Sequence, residues 1–143
     1  MNTRRFHGVG SIMCGVLVLV LSARLEVAFS ADLKTIQTHK TRDIVITLES
    51  TSGQWTQGKN TFAMAFSSPE TGKPVDVGQA TLSTSMPMPG MAPMLAGAEL
   101  TRDAAPGRYV GTISFPDRGA RQVTVNWDGP AGKGSARFPV PVR

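Results

Sequence analysis

The sequence predicts an all-β fold, a single antiparallel β-sandwich of about seven strands. Three observations lead to this prediction. Apolar residues alternate with polar ones in short segments, glycine and proline separate these segments, and no segment after residue 31 carries an amphipathic helical repeat of useful length. The chain has 143 residues, which suits one domain and leaves little room for two.

Each predicted strand has apolar residues at every second position, which would face the core. The apolar sets are Ile44, Ile46 and Leu48; Phe62, Met64 and Phe66; Tyr109, Ile113 and Phe115; Val123, Val125 and Trp127; and Phe138, Val140 and Val142. Residues 78–85 form a weaker candidate strand, and residues 33–40 are either an edge strand or a loose arm. Turn residues such as Pro106-Gly107 and Asp128-Gly129-Pro130 separate the segments.

The first thirty residues differ from the rest and match a secretory signal peptide. Arg4-Arg5 forms a basic start, and the apolar run over residues 12–23 is shorter than the about 20 residues of a membrane-spanning helix. Ala28-Phe29-Ser30 then supplies the small residues that a signal peptidase recognises. We expect residues 1–30 to be removed and residues 31–143 to form the domain in the periplasm. The alternative is that the segment stays as a membrane anchor.

Several kinds of chemistry have no support in the sequence. The only cysteine, Cys14, would be lost with the signal peptide, so the mature chain would have no thiolate for catalysis or metal binding. No serine has an activating motif and the acidic residues are isolated, so we expect neither an enzyme nor a small-molecule substrate. The formal net charge of +5 comes from scattered residues without an aromatic and basic stripe, so nucleic-acid binding is not expected.

One segment does not fit the sandwich pattern: residues 86–94 contain four methionines, Met86, Met88, Met91 and Met94. Three prolines exclude a helix there and Gly90 permits a bend, so we expect a constrained loop between two strands. Thioether sulfur is soft and prefers Cu(I) or Ag(I) to hard cations. The sequence therefore gives three candidate ligands for Cu(I), Met86, Met88 and Met91, with Met94 as an alternate ligand.

Two other interpretations of this segment stay open. Methionine fills irregular gaps, so the loop could cap the open end of the sandwich. Flexible methionine surfaces also bind protein partners. His39, the only histidine after the signal peptide, is either a further copper ligand or a solvated polar residue. Met64 has the core parity of its strand, so we expect it to serve packing alone.

A set of motifs occurs in order over residues 44–142. They are Gly58-Lys59-Asn60, Thr71-Gly72-Lys73-Pro74-Val75, Met86-Pro87-Met88-Pro89-Gly90-Met91, Pro106-Gly107-Arg108-Tyr109, residues 119–125, and Phe138-Pro139-Val140-Pro141-Val142. In these motifs the chain resembles the FixH/YtkA-like family of small periplasmic or extracellular immunoglobulin-like domains. Arg121 departs from the family pattern, which often has tryptophan there, and this puts the packing of its strand in question.

The resemblance implies an immunoglobulin-like sandwich. The chain shows no counterpart of the membrane anchor and cytoplasmic parts of FixH proteins, so we expect it to be closer to the free-standing YtkA-like domains. Related domains accompany copper-handling and heavy-metal efflux systems. We therefore expect a periplasmic accessory protein that binds or delivers Cu(I) weakly, in support of a membrane partner such as a metal transporter or an oxidase assembly system. The alternative is an envelope interaction module that binds no metal.

Overall fold

Nine β-strands form two antiparallel sheets in residues 32–143, the part of the chain that this computed structural model describes. The strands are β1 (Lys34–Lys40), β2 (Val45–Ser50), β3 (Gly58–Ser67), β4 (Gln79–Met88), β5 (Met91–Gly97), β6 (Glu99–Arg102), β7 (Arg108–Phe115), β8 (Gly119–Gly129) and β9 (Gly132–Val142). One sheet has the order β1-β2-β3-β7-β6 and the other β5-β4-β8-β9. The predicted all-β sandwich is confirmed, while the predicted signal peptide, residues 1–30, lies outside the described residues. Within those residues there is no helix long and apolar enough to cross a membrane.

The structure has two more strands than the sequence predicts, β5 and β6. Neither segment has the alternation of apolar and polar residues that predicts a strand: β5 has no polar side chain and β6 has only four residues. Each forms against a neighbour that has it, β5 against β4 and β6 against β7. The first segment of the domain, for which the sequence left two possibilities open, is an edge strand: β1 pairs with β2.

The core lies between the two sheets and contains most of the apolar residues that were predicted to face it. The buried ones include Ile46, Leu48, Phe62, Phe66, Tyr109, Ile113, Phe115, Val123, Val125, Phe138, Val140 and Val142. Met64 is fully buried, which agrees with a packing role. Trp55 and Val77 are also fully buried, although they come from connecting segments without a strand pattern.

A side-chain hydrogen bond of Tyr109 links the two sheets. Tyr109 lies on β7 of the first sheet, and its hydroxyl donates to the backbone carbonyl of Gly78, which directly precedes β4 of the second. The Tyr109 ring also packs edge-on against Phe66, with 5.7 Å between the ring centroids. This tyrosine therefore fixes the start of β4 against the first sheet.

Candidate functional site

The methionine segment forms a β-hairpin, so the expected loop between two strands is in fact the end of both strands. β4 continues to Met88 and β5 begins at Met91, which leaves Pro89-Gly90 as the turn. Gly90 has φ of 73°, in the left-handed region that favours glycine, and proline directly before such a glycine is typical of a type II turn. We call residues 86–94 the methionine hairpin.

The four methionines form two cross-strand pairs. Met86 is opposite Met94, and Met88 is opposite Met91. The register shifts between these pairs, because β5 has one residue more than β4 in the interval. Directly opposite residues of antiparallel strands project from the same face, with Cβ atoms about 4.5–5.5 Å apart. The fold therefore brings together the four residues that the sequence identifies, in a register that the sequence pattern does not show.

The methionine hairpin continues the core-facing side of β4 toward solvent. Leu82 and Thr84 on β4 are buried, and Met86 and Met88 follow them at the same parity. Thr84 also fixes the base of the hairpin, because its hydroxyl donates to the Ala96 carbonyl on β5 at 3.1 Å. Three of the methionines are half-buried, whereas Met91 is 71% exposed. The thioethers thus lie between core and solvent.

The side chain of Met86 packs against the start of β8. A Cβ atom added to Gly119 would lie 2.9 Å from Met86 Cε and 3.9 Å from its sulfur. Gly119 also has φ of 131°, which disfavours any residue with a side chain. The glycine therefore leaves the space that the Met86 thioether occupies, and this gives the methionine hairpin its contact with β8.

Two residues further along β8, Arg121 turns its side chain into the core. It has the same parity as Val123 and Val125 and is only 1% exposed. Its guanidinium carbon lies 5.0 Å from the centre of the Phe115 ring. Nε, Nη1 and Nη2 are all enclosed without a hydrogen-bond acceptor. Arg121 thus places a fixed positive charge inside the sandwich.

Arg121 lies beneath the base of the methionine hairpin. β4 and β8 pair up to Ser85 and Gln122, so the next position in this register sets Met86 opposite Arg121. Two like unit charges about 8 Å apart repel by about 2 kcal/mol at an effective dielectric constant of about 20. A cation placed at that distance at the hairpin would be repelled by the guanidinium, and a divalent ion would be repelled twice as strongly as a monovalent one. Sequence reasoning did not identify Arg121 as a site residue, although its inward parity was visible.

The structure does not bring His39 to the methionines. His39 lies on β1, which faces β9, and its imidazole stacks on Phe138 with ring centroids 4.7 Å apart and an interplanar angle of 15°. The methionine hairpin belongs to β4 and β5, at the opposite edge of the second sheet. No group of three or more His, Cys, Asp or Glu side chains that could hold a metal ion occurs in residues 32–143.

A comparison of sequences agrees with the resemblance of the motifs. The sequence model of the YtkA-like family matches residues 38–126, which is more than half of the chain. The matched range includes the methionine hairpin and Arg121 and ends before β9. No curated protein is significantly similar to the chain in sequence. The chain belongs to the YtkA-like family.

Proposed function

We propose that this protein is an exported accessory protein that binds Cu(I) weakly at the methionine hairpin and passes it to a membrane partner, such as a metal transporter or an oxidase assembly system. The observation that carries the proposal is the pairing of Met86 with Met94 and of Met88 with Met91. Two pairs of thioethers at one end of a hairpin can offer three sulfurs to one ion. Membership of the YtkA-like family supports the coarser statement, a small accessory domain.

The chemistry of the methionine hairpin favours a soft monovalent ion. Thioethers are neutral, have no proton to lose and prefer Cu(I) or Ag(I). No residue from Met86 to Ala98 has a charged or polar side chain, so no side chain in this stretch would hold a hard cation. The buried charge of Arg121 adds to this preference, because its repulsion of a divalent ion is twice that of a monovalent one.

Weak binding by exposed ligands suits delivery better than storage. Met91 is largely exposed, so a thioether or thiolate of a partner could approach an ion that Met91 helps to hold. Transfer would then proceed by exchange of one sulfur ligand for another, without a change in the oxidation state of copper. The same apolar stretch would lie against the partner while the exchange takes place.

A competition titration tests the proposal. Purified exported protein, which we expect to begin at Ala31, is titrated with Cu(I) against a chromophoric chelator. A variant with all four hairpin methionines changed to leucine keeps the apolar volume and removes the sulfurs. We expect this variant to lose Cu(I) to the chelator. Met64→Leu, which changes the buried methionine of β3, should retain Cu(I) as the wild type does. The proposal is wrong if the four-leucine variant retains Cu(I) as the wild type does.

A second candidate function is a docking module without metal, and the exposure of β5 favours it. Met91 and Leu95 are the exposed large apolar residues of the described chain, at 71% and 77%. Both lie on β5, an edge strand, and Leu95 borders a groove of about 430 Å³ between β5 and β7. Leu95→Glu separates the two functions: it would abolish docking by a metal-free module, whereas Cu(I) retention by the thioethers would remain.

A further inference from the structure

The guanidinium of Arg121 has three hydrogen-bonding nitrogens and no acceptor. Each of Nε, Nη1 and Nη2 is enclosed in the protein, and none donates to a protein atom. The ion pairs of residues 32–143 include Arg102, Arg108 and Lys133, and Arg121 belongs to none of them. A buried polar group without a partner is rare in folded proteins and calls for an explanation, such as a bound ion.

The charge on Arg121 can be neither removed by deprotonation nor easily turned to solvent. Arginine stays protonated at every pH at which proteins fold. The backbone around Arg121 is held between two strands, because Arg121 pairs with Val140 of β9 and the next residue, Gln122, pairs with Ser85 of β4. The guanidinium's contact with Phe115 is favourable, but a ring face stabilises the charge less than the water that solvates it in the unfolded chain. A second, negatively charged partner would complete the site.

No buried carboxylate of residues 32–143 compensates the charge on Arg121. The indole Nε1 of Trp55 is also buried without an acceptor, and its ring lies against the same Phe115, at 5.1 Å between centroids. Of the buried polar and charged residues in the described chain, Ser50, Asn60, Thr84 and Arg121, none is a carboxylate. A buried positive charge without a buried carboxylate to compensate it suits an anion.

We propose that Arg121 is the base of a binding site for a small monovalent anion, of the size of chloride or bromide. The guanidinium is weakly hydrated, so it pairs best with an anion that also loses water readily. All three nitrogens are enclosed, so only a small anion could reach them, and only when a neighbouring side chain moves aside. Met86 is the entry point, because it is half-buried, flexible and packed against Gly119, two residues from Arg121. This inference does not depend on metal binding by the methionine hairpin.

Thermal unfolding at constant ionic strength tests the site. Sodium gluconate, whose anion is too large to enter, is replaced stepwise by sodium chloride or sodium bromide. A ligand that binds only the folded state raises the unfolding midpoint in proportion to its occupancy. We expect a saturable rise of several degrees for the wild type. Arg121→Leu should lose this rise, and Arg137→Leu, which removes an exposed positive charge from β9, should keep it.

Three results would overturn the proposal. The first is an unfolding midpoint of the wild type that is the same in gluconate and in chloride at every concentration. The second is a chloride-dependent rise that survives in Arg121→Leu. A crystal grown in bromide gives a direct measurement that does not need a variant: we expect an anomalous peak at hydrogen-bonding distance from the Arg121 nitrogens. Bromide peaks confined to the exposed surface would be the third contrary result.

Discussion

Arg121 lies over the ring of Phe115, with 5.0 Å between its guanidinium carbon and the ring centre, inside the core of the sandwich. Phe115 ends β7 of the first sheet and Arg121 belongs to β8 of the second, so the contact spans the two layers. The pair thus connects the scaffold to the candidate site, because the core encloses a charge beside the strand that carries Met86 and Met88.

Replacing Arg121 by leucine should stabilise the protein in chloride-free buffer. A well-packed apolar residue avoids the desolvation of a buried charge, and such replacements of buried ionic groups have gained about 1–4 kcal/mol. Urea denaturation in gluconate should show a higher midpoint with an unchanged slope. The exposed control Arg137→Leu should change the free energy of unfolding by no more than about 0.5 kcal/mol. A loss of stability in Arg121→Leu would mean that the guanidinium is better compensated than its contacts indicate.

The same substitution should also strengthen metal binding, if the proposed function holds. Removing a repulsion of about 2 kcal/mol would raise the affinity for Cu(I) or Ag(I) by a factor of about 30 in chloride-free buffer. The gain should be larger for a divalent ion, so Arg121→Leu would lose part of its selectivity. Competition titrations of Arg121→Leu, Arg137→Leu and wild type measure both effects. Equal Cu(I) affinities for the wild type and Arg121→Leu would show that this charge does not reach the thioethers.

Much of the sandwich could be predicted because burial of one sheet face imposes a period of two on a strand. The alternation around Ile46, Phe62 and Val125 predicts β2, β3 and β8 together with the side of each that faces the core. β5 could not be predicted in this way. Apart from Leu95, its residues are small, proline or methionine, and the strand forms because β4 supplies a partner.

The candidate site was predictable in its residues and not in its geometry. The clustering of the four methionines is visible from the sequence alone. The pairing of Met86 with Met94, in contrast, depends on the turn at Gly90 and on the extra residue in β5. Arg121 shows the opposite difficulty. Its position was readable from the parity of Val123 and Val125, but a charged residue is ordinarily predicted to face solvent.

Tyr109→Phe should destabilise the link between the sheets. The variant loses the hydrogen bond from the hydroxyl to the Gly78 carbonyl, and such a bond contributes about 1 kcal/mol. Burial raises the pKa of Tyr109 above its ordinary value of 10.0, while nearby Arg102 lowers it and Asp76 raises it. The folded state therefore holds the phenol proton more tightly than the unfolded state does. This contribution to stability is complete below pH 10.0 and is lost as the pH rises through the raised pKa of the folded state.

Urea denaturation of the wild type and Tyr109→Phe across the alkaline range measures this effect. The free energy of unfolding should fall more steeply above pH 10.0 in the wild type, so the two proteins should converge there. All other ionisable groups are common to both proteins, so their contributions cancel in the difference. A gap between the two proteins that stays constant with pH would contradict the assignment to Tyr109.

The turn of the methionine hairpin should control metal affinity through one backbone angle. Gly90 has φ of 73° and open space around it, so a side chain there meets strain and no steric contact. Asparagine tolerates this region, whereas a β-branched residue does not. Gly90→Val should therefore distort the turn that sets Met88 opposite Met91, at a cost of about 1–3 kcal/mol.

We expect the affinity for Cu(I) to fall by about a factor of 10 or more in Gly90→Val and to stay within about threefold in Gly90→Asn. Because both variants add a side chain at the same exposed position, a similar loss in the two would indicate that bulk at the turn, and not its backbone conformation, governs binding.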